Sequence, residues 1–132
     1  MIQVDAVVLA GARNTGRLRE MDESFYEASI EIAGRPMVYY VLDALAAVPE
    51  IRRIMVVAPP GAFPYDQGSW QGKVSFTRAG ESLLDNIRRG IDALDTGEKV
   101  LVVTSDIPLI NPGAVSDFIL RCQGREADIY YP

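Results

Sequence analysis

The chain has 132 residues and a mass of 14.5 kDa, which fits one domain, residues 1–132, at about one domain per 150 residues. With 48% hydrophobic and 23% charged residues it holds enough apolar surface to offset the entropy of ordering, so a folded rather than a disordered chain is expected. The formal charge of −5 argues against a nucleic-acid partner, the absence of histidine removes Ser-His-Asp, Cys-His and histidine-metal chemistry, and the single Cys122 removes an intrachain disulfide and a thiolate zinc cluster.

The first element is Ala6-Val7-Val8-Leu9-Ala10, a short apolar run ending at Gly11, as expected of a strand buried on both faces of a parallel sheet. Gly11 to Glu23 reads as a long polar loop. Gly34-Arg35-Pro36 then opens a helix whose apolar positions Met37, Val38, Val41, Leu42 and Leu45 recur at helical spacing, with Pro36 in its first turn and Pro49 at its end. Arg53 to Ala58 predicts a second strand, closed by Pro59-Pro60-Gly61. Residues 61–72 are turn-rich, and Trp70 and Phe63 within them are assigned to packing. Val74-Ser75-Phe76 predicts a third strand.

Ser82 is the expected N-cap of a second helix with Leu84, Ile87, Ile91 and Leu94 as its apolar stripe and Arg88 and Arg89 on its solvated face. Val100 to Val103 predicts a strand that ends at Thr104-Ser105-Asp106. Asn111-Pro112 is a cap and first-turn pair for a third helix, which buries Val115, Phe118, Ile119 and Cys122. Ala127 to Tyr131 predicts a last strand. The alternation of strands and helices predicts an α/β domain, a three-layer Rossmann-like fold around a mainly parallel sheet. The start of the chain lacks the basic region of a signal peptide, and no apolar stretch is long enough to span a membrane. A cytoplasmic protein with no membrane partner is therefore expected.

In open α/β sheets ligands bind beyond the carboxyl ends of the strands. Two polar segments fall at such ends. The loop Leu9-Ala10-Gly11-Ala12-Arg13-Asn14-Thr15-Gly16-Arg17 has small residues that let backbone N–H groups approach an anion, and Arg13 and Arg17 to clamp phosphate oxygens. It is neither a Walker A loop nor a G-x-G-x-x-G fingerprint, and a loop with merely solvated arginines is the alternative. Asp106 at a strand end has the donor chemistry for Mg²⁺, which takes one or two carboxylates plus substrate oxygens; capping of the following turn is the alternative. Between the third strand and second helix, Gly80, Ser82 and Asn86 offer groups for a nucleobase or anion, with ordinary N-capping sufficient to explain Ser82.

Taken in order, Val7-Val8-Leu9-Ala10-Gly11…Arg17, Ile30-Glu31-Ile32-Ala33-Gly34-Arg35-Pro36-Met37, Gly80-Glu81-Ser82…Asn86…Gly90 and Val102-Val103-Thr104-Ser105-Asp106-Ile107-Pro108 resemble the NTP-transferase family with a GT-A-like nucleotide-binding fold. The nearest group is that of the MobA-like molybdenum-cofactor guanylyltransferases; cytidylyltransferases of isoprenoid synthesis and sugar-phosphate nucleotidyltransferases are cousins. The resemblance implies that Leu9, Ala10, Gly11 and Ala12 form the loop whose backbone meets the base and phosphates, that Arg17 meets the triphosphate, that Gly80, Ser82 and Asn86 approach base and ribose with Ser105 nearby, and that Asp106 binds Mg²⁺ as cofactor. It further implies transfer of a nucleotidyl group from a nucleoside triphosphate to a phosphate acceptor, with release of pyrophosphate.

Two departures matter. Glu27 stands where the family pattern has a lysine, and Ala12 replaces its second glycine. An acid near a triphosphate in a dry site costs on the order of a few kcal/mol. These changes keep open a catalytically impaired member serving as a nucleotide-binding or assembly module, with a homodimer through an open sheet edge. A generic dinucleotide-binding module ranks last, because Ala58-Pro59-Pro60-Gly61 offers no acidic ribose ligand after the second strand. The family's domains run longer, so the chain is expected to hold the nucleotide half, truncated at its C-terminal end.

Overall fold

The computed structural model describes residues 3–11, 31–59, 70, 72–96, 99–105 and 110–122. Their elements are β1 (Val4–Leu9), β2 (Glu31–Ile32), β3 (Arg35–Pro36), α1 (Met37–Ala46), β4 (Ile51–Ala58), β5 (Val74–Arg78), α2 (Leu83–Leu94), β6 (Val100–Thr104) and α3 (Pro112–Arg121). One sheet runs β5-β4-β1-β6, with every neighbouring pair parallel. The α/β architecture around a mainly parallel sheet is the one expected from the sequence. The predicted strand Ala127–Tyr131, the loop after Gly11 and Phe63 lie outside the described residues.

Strand alternation sorts the core into two layers. Ala6, Val8 and Ala10 of β1, with Ile54, Val56 and Ala58 of β4 and Val103 of β6, pack against α1 and Ile119 of α3. Val7, Leu9 and Val57 face the other way, against Leu94, Ile87 and Ile91 of α2. The chain therefore moves from β1 through α1 to β4 on one side, and returns through α2 to β6 on the other. Strand order reverses between β1 and β6, where the register pairs Leu9 with Thr104. The carboxyl edge beside that reversal is where an open α/β sheet takes its ligands.

α1 is buried along most of its length because eight of its residues are apolar and inward or flanked by neighbours: Met37, Val38, Tyr39, Val41, Leu42, Ala44, Leu45 and Ala46. It has no basic residue in its last turn; instead Lys73 donates to the Ala46 and Val48 carbonyls at 3.0 and 3.3 Å and supplies the cation that end favours. On its outer side Asp43 accepts from Arg35 (2.7 Å) and from the indole N–H of buried Trp70 (2.9 Å), whose ring meets Tyr39 edge-on. Trp70 thus has the packing role expected of it.

Three local details depart from the sequence reading. Pro36 is the N-cap of α1 with extended backbone (ψ 139°), not a first-turn residue. It closes a small antiparallel hairpin in which Glu31 pairs with Pro36 and Ile32 with Arg35. The turn residues Ala33 and Gly34 both have positive φ (52° and 82°), as a two-residue hairpin demands, and alanine there gives no signal in sequence. Third, Leu84 does not belong to the buried stripe of α2: it is 78% exposed. The buried positions are Asn86, Gly90 and Leu94. The stripe is rotated because glycine, not a large apolar residue, faces the sheet at its centre. A Cβ on Gly90 would lie 2.5 Å from Cγ1 of Val7 and 3.1 Å from Cγ2 of Val57, so only glycine lets the helix lie this close.

The amino edge is held by charge. Asp5, its side chain 2% exposed, accepts from Arg52 (3.0 Å) and Arg53 (2.7 Å), and Arg53 also donates to the Leu94 carbonyl at the end of α2. Burial pushes the Asp5 carboxyl up, but the bonds and charges of Arg53 and Arg52 together outweigh it and hold the group below the ordinary carboxylate value. No helix among the described residues is long and apolar enough to cross a membrane.

Candidate functional site

At the carboxyl edge the segments that follow β1 and β5 converge. The Ala10 N–H donates to the Val57 carbonyl at 2.9 Å and the Ala79 N–H to the Ala58 carbonyl at 3.0 Å, so sheet bonding extends one residue past each strand and then releases the chain. Gly11 arrives against Ala79 and Asn86. A Cβ on it would stand 3.1 Å from the Ala79 Cβ and 3.2 Å from the Asn86 side-chain nitrogen. The Asn86 carbonyl oxygen accepts from the Gly80 N–H at 2.6 Å, which fixes the Gly80 turn to the first turns of α2. Ser82 caps that helix by accepting from the Asp85 N–H at 3.1 Å.

Of the residues singled out in the sequence, Gly11, Gly80 and Asn86 are therefore brought together, with Asn86 only 9% exposed. Leu9 and Ala10 have buried side chains, and the Ala10 N–H is committed to the sheet. Ser82 is exposed and acts as a cap. Ser105, 4% exposed, follows β6 directly, on the strand that pairs with β1 across the reversal. Ala12, Arg13, Arg17, Glu27 and Asp106 lie outside the described residues. Ala79 is a contact that sequence reasoning missed; a lone alanine between strand and helix carries no chemical signal.

Asp85 completes the surroundings. Its carboxylate covers the α-carbon of Gly80, leaving no room for a side chain there, and it pairs with Arg89 at 3.0 Å. Arg88 and Arg89 lie on the outer side of α2, as expected. Among the described residues no group of three or more His, Cys, Asp or Glu stands together as a metal cage.

The parallel four-stranded sheet, with its strand reversal beside Gly11 and a helix-start segment folded onto it, is the arrangement at which open α/β sheets take their ligands. The chain matches the family model for the MobA-like NTP transferase domain over residues 6–132, and it belongs to that family. Among curated relatives, it is 26% identical over 108 residues to 2-C-methyl-D-erythritol 4-phosphate cytidylyltransferase of Caldanaerobacter subterraneus, matching 77% of this chain and 46% of that protein. It is 29% identical over 122 residues to the bifunctional protein GlmU of Parvibaculum lavamentivorans, matching 89% of this chain and 26% of that one. The fold superposes on 4-diphosphocytidyl-2C-methyl-D-erythritol synthase from Anaerococcus prevotii with a TM-score of 0.71 at 17% identity, covering 93% of this chain and 52% of that structure. The structure of a hypothetical transferase from Thermus thermophilus gives a TM-score of 0.65 at 27% identity, with 92% of this chain and 47% of that one covered. The chain thus spans less than two thirds of the length of these relatives.

Proposed function

We propose that this chain binds a nucleoside triphosphate with Mg²⁺ at the carboxyl edge of its sheet and takes part in nucleotidyl transfer to a phosphate acceptor with release of pyrophosphate, in the cytoplasm. The observation that carries the reading is the convergence of Gly11, Ala79, Gly80 and Asn86 beside the strand reversal, in a chain of the MobA-like family. Gly11 is the first residue past the amide that the sheet takes, and the Gly80 turn held by Asn86 is the segment assigned to base and ribose. Arg13 and Arg17 are assigned to the phosphates, where guanidinium groups neutralise charge that grows on the leaving pyrophosphate.

The donor chemistry fits Mg²⁺. Asp106 is one hard carboxylate following a strand end, next to Ser105, and Mg²⁺ typically needs one or two carboxylates once substrate oxygens complete its shell. Bound there, the ion would screen the phosphate charges. Titration of the purified protein with CTP, GTP and ATP in the presence of Mg²⁺, followed by calorimetry, tests the reading. Heat of binding with at least one of them, reduced by Asp106→Ala, is expected; no heat with any contradicts it.

A second reading rests on Glu27 and Ala12, which stand against the family pattern. In it the chain binds nucleotide without turnover and serves as an assembly module, self-associating through a sheet edge. Binding without pyrophosphate release, measured with a sugar phosphate or isoprenoid phosphate as acceptor, favours this reading over the first.

A further inference from the structure

Leu83 sits three residues before Asn86, four before Ile87, seven before Gly90 and eleven before Leu94, at the centre of the α2 face that meets the sheet. The other positions on that face are buried or half-buried, yet Leu83 is 63% exposed. Its exposure follows from where the helix begins. Gly90 lies over Val7 in the middle of β1 and Val57 near the end of β4, and Asn86 lies against Gly11, where β1 has ended. One turn earlier no strand of the described residues lies beneath the helix. Helical side chains lean toward the N-terminus, which carries Leu83 further past the edge.

A large apolar side chain thus stands in water directly above the segment that converges on Gly11. Charge decides which part of a nucleotide could cover it. Glu81 places a carboxylate beside this first helical turn, and that of Asp85 is engaged by Arg89 at 3.0 Å, so among the described residues no uncompensated cation stands at the turn. A polyphosphate gains nothing by covering an apolar side chain, whereas the face of an uncharged aromatic ring on leucine removes apolar surface from water.

We infer that Leu83 packs against one face of the nucleobase and is an affinity-determining residue of the nucleotide site, whereas Leu84, about 100° further round the helix, does not touch the ligand. The inference rests on the nucleotide reading proposed above. Calorimetric titration with CTP, GTP and ATP plus Mg²⁺, and with the monophosphate of the nucleotide that binds, is made on the unaltered chain, Leu83→Ser, Leu84→Ser and Leu83→Met. Both serine variants change an exposed residue of the same helical turn, and circular dichroism checks that each is folded.

Leu83→Ser is expected to weaken binding about tenfold, equivalent to about 1.4 kcal/mol. The loss should be equal for triphosphate and monophosphate, because it concerns the base. Leu84→Ser should stay within about twofold and Leu83→Met within about threefold. Equal affinities for Leu83→Ser and the unaltered chain overturn the inference and leave the nucleotide reading standing, as does a loss confined to the triphosphate. Failure of the unaltered chain to bind any nucleotide overturns both.

Discussion

Replacing Gly90 by alanine tests how closely α2 rests on the sheet and, through it, what places Asn86 beside Gly11. The added methyl would stand 2.5 and 3.0 Å from the γ-methyls of Val7 and 3.1 Å from Cγ2 of Val57, whereas unstrained carbon atoms sit about 3.5–4.0 Å apart. Val7 and Val57 are fully buried, β-branched residues of the two central strands, so neither can swing aside cheaply. Overpacking a core costs about 1–3 kcal/mol, and overlap with three such atoms puts this case at about 2–3 kcal/mol. Alanine returns about 0.8–1.0 kcal/mol of helix propensity. The net expectation is a loss of about 1–2 kcal/mol, or about 3–8 °C in the unfolding midpoint of a chain this size. Thermal and urea unfolding followed by circular dichroism measures it, with Arg88→Ala, on a side chain 82% exposed, as a control expected to stay within about 0.5 kcal/mol. A Gly90→Ala midpoint equal to or above that of the unaltered chain would mean that the helix does not lie on Val7 and Val57, and the placement of Asn86 would lose its explanation.

Other substitutions probe the remaining supports. Asp5→Asn removes the carboxylate that holds Arg52 and Arg53 and should cost about 1–2 kcal/mol at neutral pH, since those arginines can turn to water. Because the folded-state Asp5 carboxyl lies below its unfolded value of about 3.9, its contribution is complete above that value and lost as pH falls through the folded one. Urea midpoints of the two proteins should therefore differ by a constant amount from pH 7 to about 5 and converge only in strong acid; convergence near neutrality refutes the linkage. Ala33→Asn should stabilise by about 0.5–1 kcal/mol, because asparagine tolerates the positive φ that alanine adopts there, and a loss of stability would speak against that turn. Asn86→Ala should cost about 1 kcal/mol by leaving the Gly80 N–H without its acceptor, and should also weaken nucleotide binding; unchanged affinity in a folded variant would remove Asn86 from the site.

The main elements were legible because their signals are strong and local. Val7 to Ala10, Ile54 to Ala58 and Val100 to Val103 are apolar runs of strand length, Ser82 and Asn111 are good N-caps, and both accept amide hydrogens as such. Ile87, Ile91 and Leu94 of the expected α2 stripe do meet the sheet, and Leu84 alone was misplaced, for a definite reason. Hydrophobic spacing gives weight to large side chains, so it selected Leu84 and passed over Gly90, whose value to the packing is the atom it lacks. The hairpin at Ala33-Gly34 escaped because its strands are two residues long and its turn carries alanine where asparagine or glycine would announce it. The role of Asp5 was not legible, since the arginines that hold it come 47 and 48 residues later. Part of the candidate site was legible from small residues after β1 and polar ones before α2. The contact of Gly11 with Ala79 was not, because it depends on parallel strands ending together.

The central claim is that a nucleoside triphosphate binds at the carboxyl edge, where Gly11, Gly80 and Asn86 meet. Titrating the ¹⁵N-labelled chain with CTP, GTP and ATP in the presence of Mg²⁺, and following backbone amide resonances, locates binding directly. Saturable shifts centred on Gly11, Gly80 and Asn86 with the nucleotide that binds are the predicted result. Shifts centred instead on Asp5, Arg52 and Arg53 at the opposite edge, or none with any nucleotide, would contradict it.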